Sequence, residues 1–323
     1  MSFYLGIDTS NYTTSVALYD TATGRVFQKK KLLPVRSGEK GIRQSDAVFH
    51  HTQQLSVLLT DLLTECRTAG VLPEDRPAGP LLKAVGVSDR PRRLSGSYMP
   101  CFTVGQHTAE SLAAVLGVPL CSFSHQEGHI AAALYSAGRL DLVGKQFLAF
   151  HVSGGTTESL LVQGGTEAPL EATLLGTSSD LKAGMAIDRV GVMLGLSFPA
   201  GPELERLALQ STKTYQVHPS VKGLNCSLSG VENQCQKMLQ AGKAPADIAL
   251  YCLTYIKESL AAMATALLQE HPGMHLVFSG GVMSNSIIRQ DFLNRFDCSF
   301  AEPVFSADNA AGIAVLAALQ ERS

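Results

Sequence analysis

Hydrophobic and polar positions alternate along this chain in two distinct rhythms. Over YLGIDTSNYTTSVALYD, residues 4–20, two short apolar runs flank a small polar stretch. That pattern predicts strand, turn and strand, with Gly6, Asp8, Thr9 and Ser10 at the bend. In TQQLSVLLTDLLTEC, Leu55, Leu58, Leu59, Leu62 and Leu63 recur at helical spacing, which predicts an amphipathic helix packed on a sheet. Residues 82–124 then read as strand LKAVGVS, helix HTAESLAAVLG and strand VPLCSFS, a βαβ rhythm with a mainly parallel component. The opening pattern returns in FLAFHVSGGTTESLLVQ, with Ser153, Gly154, Gly155, Thr156 and Thr157 at the tip. A strand-hairpin unit at the head of each half predicts two similar α/β lobes. Further on come a long helix, ADIALYCLTYIKESLAAMATALLQE, a buried strand, HLVFSGG, and a helix, NSIIRQDFLNRF. The alanine-rich end, SADNAAGIAVLAALQERS, reads as a helix with Asp308 or Ser306 as its N-cap.

Composition narrows the class. With 323 residues, 45% of them hydrophobic, the chain carries enough apolar mass for one large or two medium domains. A formal net charge of -2 advertises no global basic field, so any nucleic-acid contact has to be local. Seven cysteines without a C-x-x-C pair argue against a disulfide framework or a thiolate zinc knuckle and suit a reducing, cytoplasmic setting. The N-terminus lacks the basic head and apolar block of a signal peptide, and no apolar run is long enough to span a bilayer, so the expectation is a soluble protein.

Candidate chemistry lies in SHQEGHIAAALYS, residues 124–136. Four residues apart on a helix, His125 and His129 share a face and can reach one ion. The protease pattern H-E-x-x-H is not met, because Glu127 is two places after His125, roughly 200° around the helix. The plainer alternative, two histidines that only hydrogen-bond at a helix start, stays open. Small-residue turns at 153–155 and 279–281, with the one in the first hairpin, suggest a ligand cleft between the lobes, since glycines at strand ends let backbone N–H groups approach phosphate oxygens. No G-x-x-x-x-G-K-[ST] loop is present, nor a Ser-His-Asp or Cys-His arrangement, so no catalytic side chain is assigned.

Taken together, LGIDTSNYTTSVAL, SHQEGH, VSGGTTESLLV, LKAGMAIDRVGVMLGLSFPAGPELE, FSGGVMSNSIIR and SADNAAGIA resemble, in order and approximate spacing, the bacterial TsaD-type tRNA threonylcarbamoyladenosine transferase family, once labelled glycoproteases. The resemblance covers essentially the whole chain. It implies two ribonuclease-H-like lobes of the actin, sugar-kinase and heat-shock-chaperone ATPase fold, here 1–145 and 146–306, with the terminal helix, 307–323, packing back on the first. It also implies one divalent transition metal, iron or zinc, bound by His125, His129 and Asp308, and an adenine nucleotide, ATP or an acyl-AMP. Val152, Ser153, Gly154, Gly155 and Thr156 would face its phosphate and ribose. Asp188 would hold the ribose hydroxyls, Gly201 and Asn285 would line the adenosine pocket, and Gly280 and Gly281 would let the base lie close to the backbone. For Asp188 the plain alternative is an exposed helix residue, and for Asn285 a helix cap. The implied partners are tRNA and the accessory proteins of threonylcarbamoylation, with homo- or hetero-oligomers both open and no membrane.

Departures from the family pattern gather near the chemistry. Tyr12 and Thr13 stand where acidic residues are usual, Thr156 replaces a histidine, and Asp180, Leu181 and Lys182 replace Asp-Asp-Ala. SDRPRRLSG, with Arg90, Arg92 and Arg93, replaces a glycine-rich loop. That loop reads either as a solvated turn or as a source of phosphate contacts. The pattern suggests a divergent paralogue. A small-molecule carbamoyl or phosphoryl transferase and a non-catalytic nucleotide-binding partner module remain as rival readings, and a metalloprotease is the weakest.

Overall fold

The computed structural model describes residues 2–10, 12–34, 42–75, 77–165, 168–306 and 310–321. In chain order its elements are β1 (Phe3–Ser10), β2 (Thr13–Asp20), β3 (Arg25–Leu32), α1 (Gln44–Thr68), β4 (Leu82–Arg90), α2 (Phe102–Leu116), β5 (Leu120–Ser124) and α3 (His125–Ser136). There follow β6 (Phe147–Val152), β7 (Thr157–Gln163), β8 (Glu171–Thr177), α4 (Ala183–Met193), α5 (Gly201–Ala208), β9 (Ser220–Lys222), β10 (Asn225–Ser227) and α6 (Ser229–Gln240). The chain closes with α7 (Pro245–Glu270), β11 (Leu276–Ser279), α8 (Ser286–Arg295), β12 (Cys298–Phe300), α9 (Pro303–Ser306) and α10 (Ala311–Gln320). It divides into two compact units, Met1–Gly144 with Gln163–Ala172 and Ala307–Ser323, and Lys145–Val162 with Thr173–Ser306.

Each unit is built on a five-stranded sheet of the same order. The first runs β3-β2-β1-β4-β5 and the second β8-β7-β6-β11-β12. In both, the hairpin that opens the half is antiparallel and the later strands add in parallel through helical crossovers. The repeat seen in the hairpins therefore extends to the whole sheet, and the mixed α/β architecture expected from the sequence is the one observed. Of the helices, α1 buries Leu55, Leu58 and Leu62 among Phe3, Ile7, Leu18 and Val85, leaving Thr52, Gln53 and Thr60 outside. The second core centres on stacked aromatics, with Phe278 5.1 Å from both Phe300 and Phe292.

Three local expectations change. Gly6, Asp8, Thr9 and Ser10 are not at a bend but within β1, paired with Ala17, Ser15, Thr14 and Thr13 of β2. Ser306 does not cap the last helix; its hydroxyl donates to the Glu302 carbonyl at 3.2 Å, and the helix starts after Ala310. Asp308 lies outside the described residues. At the second hairpin tip, Thr157 belongs to β7 and is buried, and its Oγ1 accepts from the Ala183 N–H at 2.9 Å, fixing the start of α4.

The terminal helix explains why Gly6 sits in mid-strand. Every residue of α10 from Ala311 to Ala318 is buried, so the helix is covered on all sides. A Cβ on Gly6 would lie 2.5 Å from the Ala310 carbonyl oxygen, and one on Gly86 2.9 Å from that of Ile313. On its other side α10 crosses α3, where a Cβ on Gly312 would come within 1.8 Å of the Gly128 carbonyl oxygen. Gly128 lies between the two candidate metal histidines.

One buried histidine carried no sequence signal. His51 of α1 is fully buried, with Nδ1 2.8 Å from Thr14 Oγ1. Thr14 gives its only proton to Gln54 Oε1 at 3.1 Å, so His51 Nδ1 must be the donor to Thr14. Burial pushes the His51 pKa down to about 4 from 6.5, against the opposing pull of the Asp8 charge.

Two outcomes follow from this packing. Gly312→Ala should destabilise the protein by about 1–3 kcal/mol or more, because the added methyl meets a backbone oxygen that cannot move alone; the midpoint of urea unfolding measures it, and an unchanged midpoint would refute the crossing. For His51, the unfolded chain takes up a proton near pH 6.5 whereas the folded chain resists until about pH 4. The stability due to neutral His51 is thus complete above pH 6.5 and is lost as pH falls towards 4, amounting to about 3 kcal/mol. Denaturant titrations across that range should show a shallower acid loss in His51→Gln than in the wild type.

Candidate metal centre and nucleotide pocket

The histidine helix begins where a capping box dictates. Ser124 has extended backbone, its Oγ accepts from the Glu127 N–H at 3.2 Å, and Glu127 Oε2 accepts from the Ser124 N–H at 2.5 Å. Helix α3 therefore starts at His125 and carries His129 one turn later. The two Nε2 atoms face each other at 2.9 Å. His125 Nδ1 is 2.9 Å from Oδ1 of Asp8, a fully buried carboxylate on β1 that also accepts from the Ser88 hydroxyl of β4. A carboxylate only accepts, so Nδ1 carries the proton and the Nε2 lone pair of neutral His125 is turned towards His129.

That arrangement fits a metal ion. Two imidazole nitrogens, each about 2.0–2.1 Å from one ion and at a right angle, would stand about 2.9 Å apart, and a carboxylate behind the first ligand is the usual orienting partner. Among the described residues no group of three His, Cys, Asp or Glu side chains forms a complete cation site. The third implied ligand, Asp308, lies outside them. Glu127 has both carboxylate oxygens engaged, with Ser124 N–H and the guanidinium of Arg93, and is buried. It is in no position to activate a water as a protease glutamate would.

The arginine loop is largely occupied. Arg90 makes two 2.7 Å bonds to Asp89, and Arg93 reaches Glu127 at 2.8 and 3.3 Å. Of the two readings, a solvated turn or a source of phosphate contacts, neither describes Arg90 and Arg93, whose anions are the protein's own. Asp180 and Lys182 are likewise engaged. Asp180 accepts from Leu228 N–H at 2.8 Å and from the Ser227 and Ser229 hydroxyls at 2.5 and 2.6 Å, holding the first turn of α6. Partial desolvation opposes its ionisation, but these hydrogen bonds prevail and keep the carboxyl well below its ordinary range. Lys182 Nζ donates to Thr177 Oγ1 and the Ser178 carbonyl.

The second unit contains a cavity of about 520 Å³. Gly154, Asp188, Gly201, Gly281 and Asn285 line it, so five residues scattered over 130 positions of sequence converge on one space. Gly184, which opens α4, packs so closely on the 153–154 turn that a Cβ would lie 2.7 Å from Gly154 Cα. Asp188 is half-buried, not an exposed helix residue, and its Oδ1 accepts from Ala200 N–H at 2.8 Å at the start of α5. Asn285 does cap its helix, Oδ1 accepting from Ile288 N–H at 3.2 Å, which leaves its amide N–H groups for a ligand.

The remaining candidates are not on the cavity wall. Val152 is buried at the end of β6, and Ser153 closes the turn by donating to the Thr156 carbonyl at 2.7 Å. Gly155 and Thr156 belong to that turn without lining the cavity. Gly280 has φ 97°, and its missing Cβ would lie 2.2 Å from the Val152 carbonyl oxygen, so the backbone it accommodates is that of β6. Sequence reasoning passed over Glu205 and Phe198, which also line the cavity. Glu205 Oε1 accepts from the N–H and hydroxyl of Ser286, linking α5 to α8. Its only sequence signal was its place inside FPAGPELE. The described lining contains two carboxylates and an amide but no lysine or arginine, a chemistry suited to hydroxyl and amino groups.

The chain is similar to known proteins in fold and in sequence. The computed fold is similar to HypF from T. kodakarensis, with 13% identity, a TM-score of 0.63, and coverage of 99% of this chain and 47% of that one. It is also similar to a ROK family glucokinase from Streptomyces griseus, at 11% identity and a TM-score of 0.51, over 98% of this chain and 99% of that one. At these identities the likeness shows the fold, that of the sugar-kinase and actin class. In sequence, the chain is 30% identical to a tRNA N6-adenosine threonylcarbamoyltransferase of Aromatoleum aromaticum (strain DSM 19018 / LMG 30748 / EbN1), over 98% of this chain and 90% of the relative. The family model for TsaD, tRNA N6-adenosine threonylcarbamoyltransferase, matches residues 31–315, and the chain belongs to that family.

Proposed function

We propose that this protein transfers a threonylcarbamoyl group from its AMP carrier to the amino group of a tRNA adenosine beside the anticodon, in the cytoplasm and with accessory proteins. The family match over residues 31–315 carries the reading, since it spans both histidines and all the cavity residues named above. In the proposal one divalent transition metal, iron or zinc, is held by His125, His129 and Asp308. When bound, such an ion supplies Lewis-acid polarisation and a template for the acyl carrier.

The chain's own residues have distinct tasks. Asp8 retains the proton on His125 Nδ1 and so keeps Nε2 a lone-pair donor. In the cavity, Asp188 has one oxygen committed to Ala200 N–H and offers the other to the ribose hydroxyls of an adenylate. Asn285 supplies amide donors, and Gly154 and Gly281 keep the wall open, with no atom within 4 Å of where a Cβ would sit. The similar glucokinase was solved in complex with glucose and AMPPNP, which supports an adenine nucleotide as ligand.

A second reading is a small acceptor in place of tRNA. It is favoured by the net charge of -2, which advertises no global basic field, and by the internal pairing of Arg90 and Arg93.

Purified protein with the family's accessory proteins, threonylcarbamoyl-AMP and unmodified tRNA should yield modified adenosine, read by nucleoside mass spectrometry. His129→Ala should lose about one metal ion per chain by elemental analysis and most of the activity. Modification of a small amine but never of tRNA would move the conclusion to the second reading. Asp188→Ala should weaken adenylate binding by about 1–3 kcal/mol in calorimetry, as expected for a lost hydrogen bond to a charged acceptor; equal affinity would remove Asp188 from the ligand's contacts.

A further inference from the structure

The loop that departs most from the family pattern is fastened to the start of the histidine helix. Its Pro91 carbonyl accepts from Gln126 N–H at 3.1 Å. Its Arg93 places Nε 2.8 Å from Glu127 Oε1 and Nη2 3.3 Å from Glu127 Oε2, while Nη2 also lies 3.4 Å from the Ser122 carbonyl of β5. Gln126 and Glu127 are two of the three residues between His125 and His129. The loop is itself braced, since Arg92 N–H donates to Ser97 Oγ at 3.1 Å and Arg90 is paired with Asp89.

We propose that Arg93 is a positioning residue for the metal histidines, clamping the first turn of α3 through Glu127. The proposal rests on the metal reading above. Its logic is electrostatic and geometric. The Glu127 side chain is 2% exposed, and a carboxylate so far from water requires a cation or several donors. Ser124 N–H and Arg93 supply them. A guanidinium does this with two parallel bonds, which fix the carboxylate plane as well as its charge, and a lysine ammonium cannot. Because the same carboxylate forms the capping box, its orientation sets where the helix begins and therefore where His125 stands relative to Asp8. Arg93 thus acts on the two histidines through Glu127 and the helix start.

The test is zinc and cobalt binding by the whole chain, measured by chelator competition and by the visible spectrum of the cobalt form. Arg93→Gln should bind zinc at least about 10-fold more weakly, the usual effect of losing an outer partner of a metal ligand, and should show an altered cobalt spectrum. Adenylate binding in the other unit should be unchanged, which reports that the chain is folded. Arg93→Lys keeps the charge but not the paired geometry and should fall between the two. It also carries the test by itself if Arg93→Gln does not fold. Arg139→Gln, which breaks an ion pair with exposed Asp141, should bind zinc as the wild type does. Wild-type affinity and spectrum in both Arg93 variants would overturn the positioning role while leaving the metal site standing. Failure of the wild type itself to bind zinc or cobalt would instead overturn the metal reading and the clamp with it.

Discussion

In the first unit two helices meet at a pair of glycines. Gly312 of α10 rests on the Gly128 carbonyl of α3, and no side chain fits between them. Much follows from that absence. The last helix can lie flush on β1 and β4 only because Gly6 and Gly86 are also bare, and it can touch the histidine helix only because both partners are. A segment beginning three residues after Asp308 in sequence is thereby packed against the turn that holds His125 and His129, some 180 residues earlier. Close packing of this kind is intolerant of added volume, so it fixes one arrangement rather than a family of them.

Buried charge supplies the second constraint. Asp8 and Glu127 are both nearly inaccessible, yet each is placed against a different kind of partner. Asp8 meets a titratable imidazole and a hydroxyl, and so orients the ring of His125. Glu127 meets a guanidinium, always charged, which binds it through both carboxylate oxygens. The first carboxylate can tune chemistry, and the second can only hold structure. This difference is also what separates the site from a metalloprotease, in which the glutamate nearest the ligands must be able to accept a proton.

Much of the fold could be read from the sequence, and the reasons are specific. The α1 heptad-like leucines, the long α7 and the repeated hairpins each carry a period that survives in the buried faces. Strand β3 went unread because RVFQKKKL is a charged edge strand with only Phe27 buried, so no alternation marks it. The helices α4 and α5 were visible only as a quoted motif, since short helices joined through Pro199 and Gly201 lack the length for a clear period. In the site, residue types and spacing identified His125 and His129, and motif identity gathered Gly154, Asp188, Gly201, Gly281 and Asn285. What no local pattern encodes is which polar groups are already spent. Arg93, read as either solvated or available for phosphate, is consumed by a glutamate 34 positions away, and Gly280, read as room for a base, is room for β6.

For the adenylate proposed above, the cavity's charge bears on recognition. Its described lining offers carboxylates to hydroxyl groups and an amide to the base, but no cation to a phosphate. If the proposal holds, selectivity at that wall is for the nucleoside, through groups that would be left unpaired by a ligand lacking ribose hydroxyls. Phosphate must be met by backbone N–H groups, for which the glycine turn beginning at Gly154 is suited because no Cβ shields them, or by a cation brought from outside the cavity. A wall whose polar groups serve the nucleoside would tolerate a variable phosphate substituent, and the proposed acylated carrier is such a ligand.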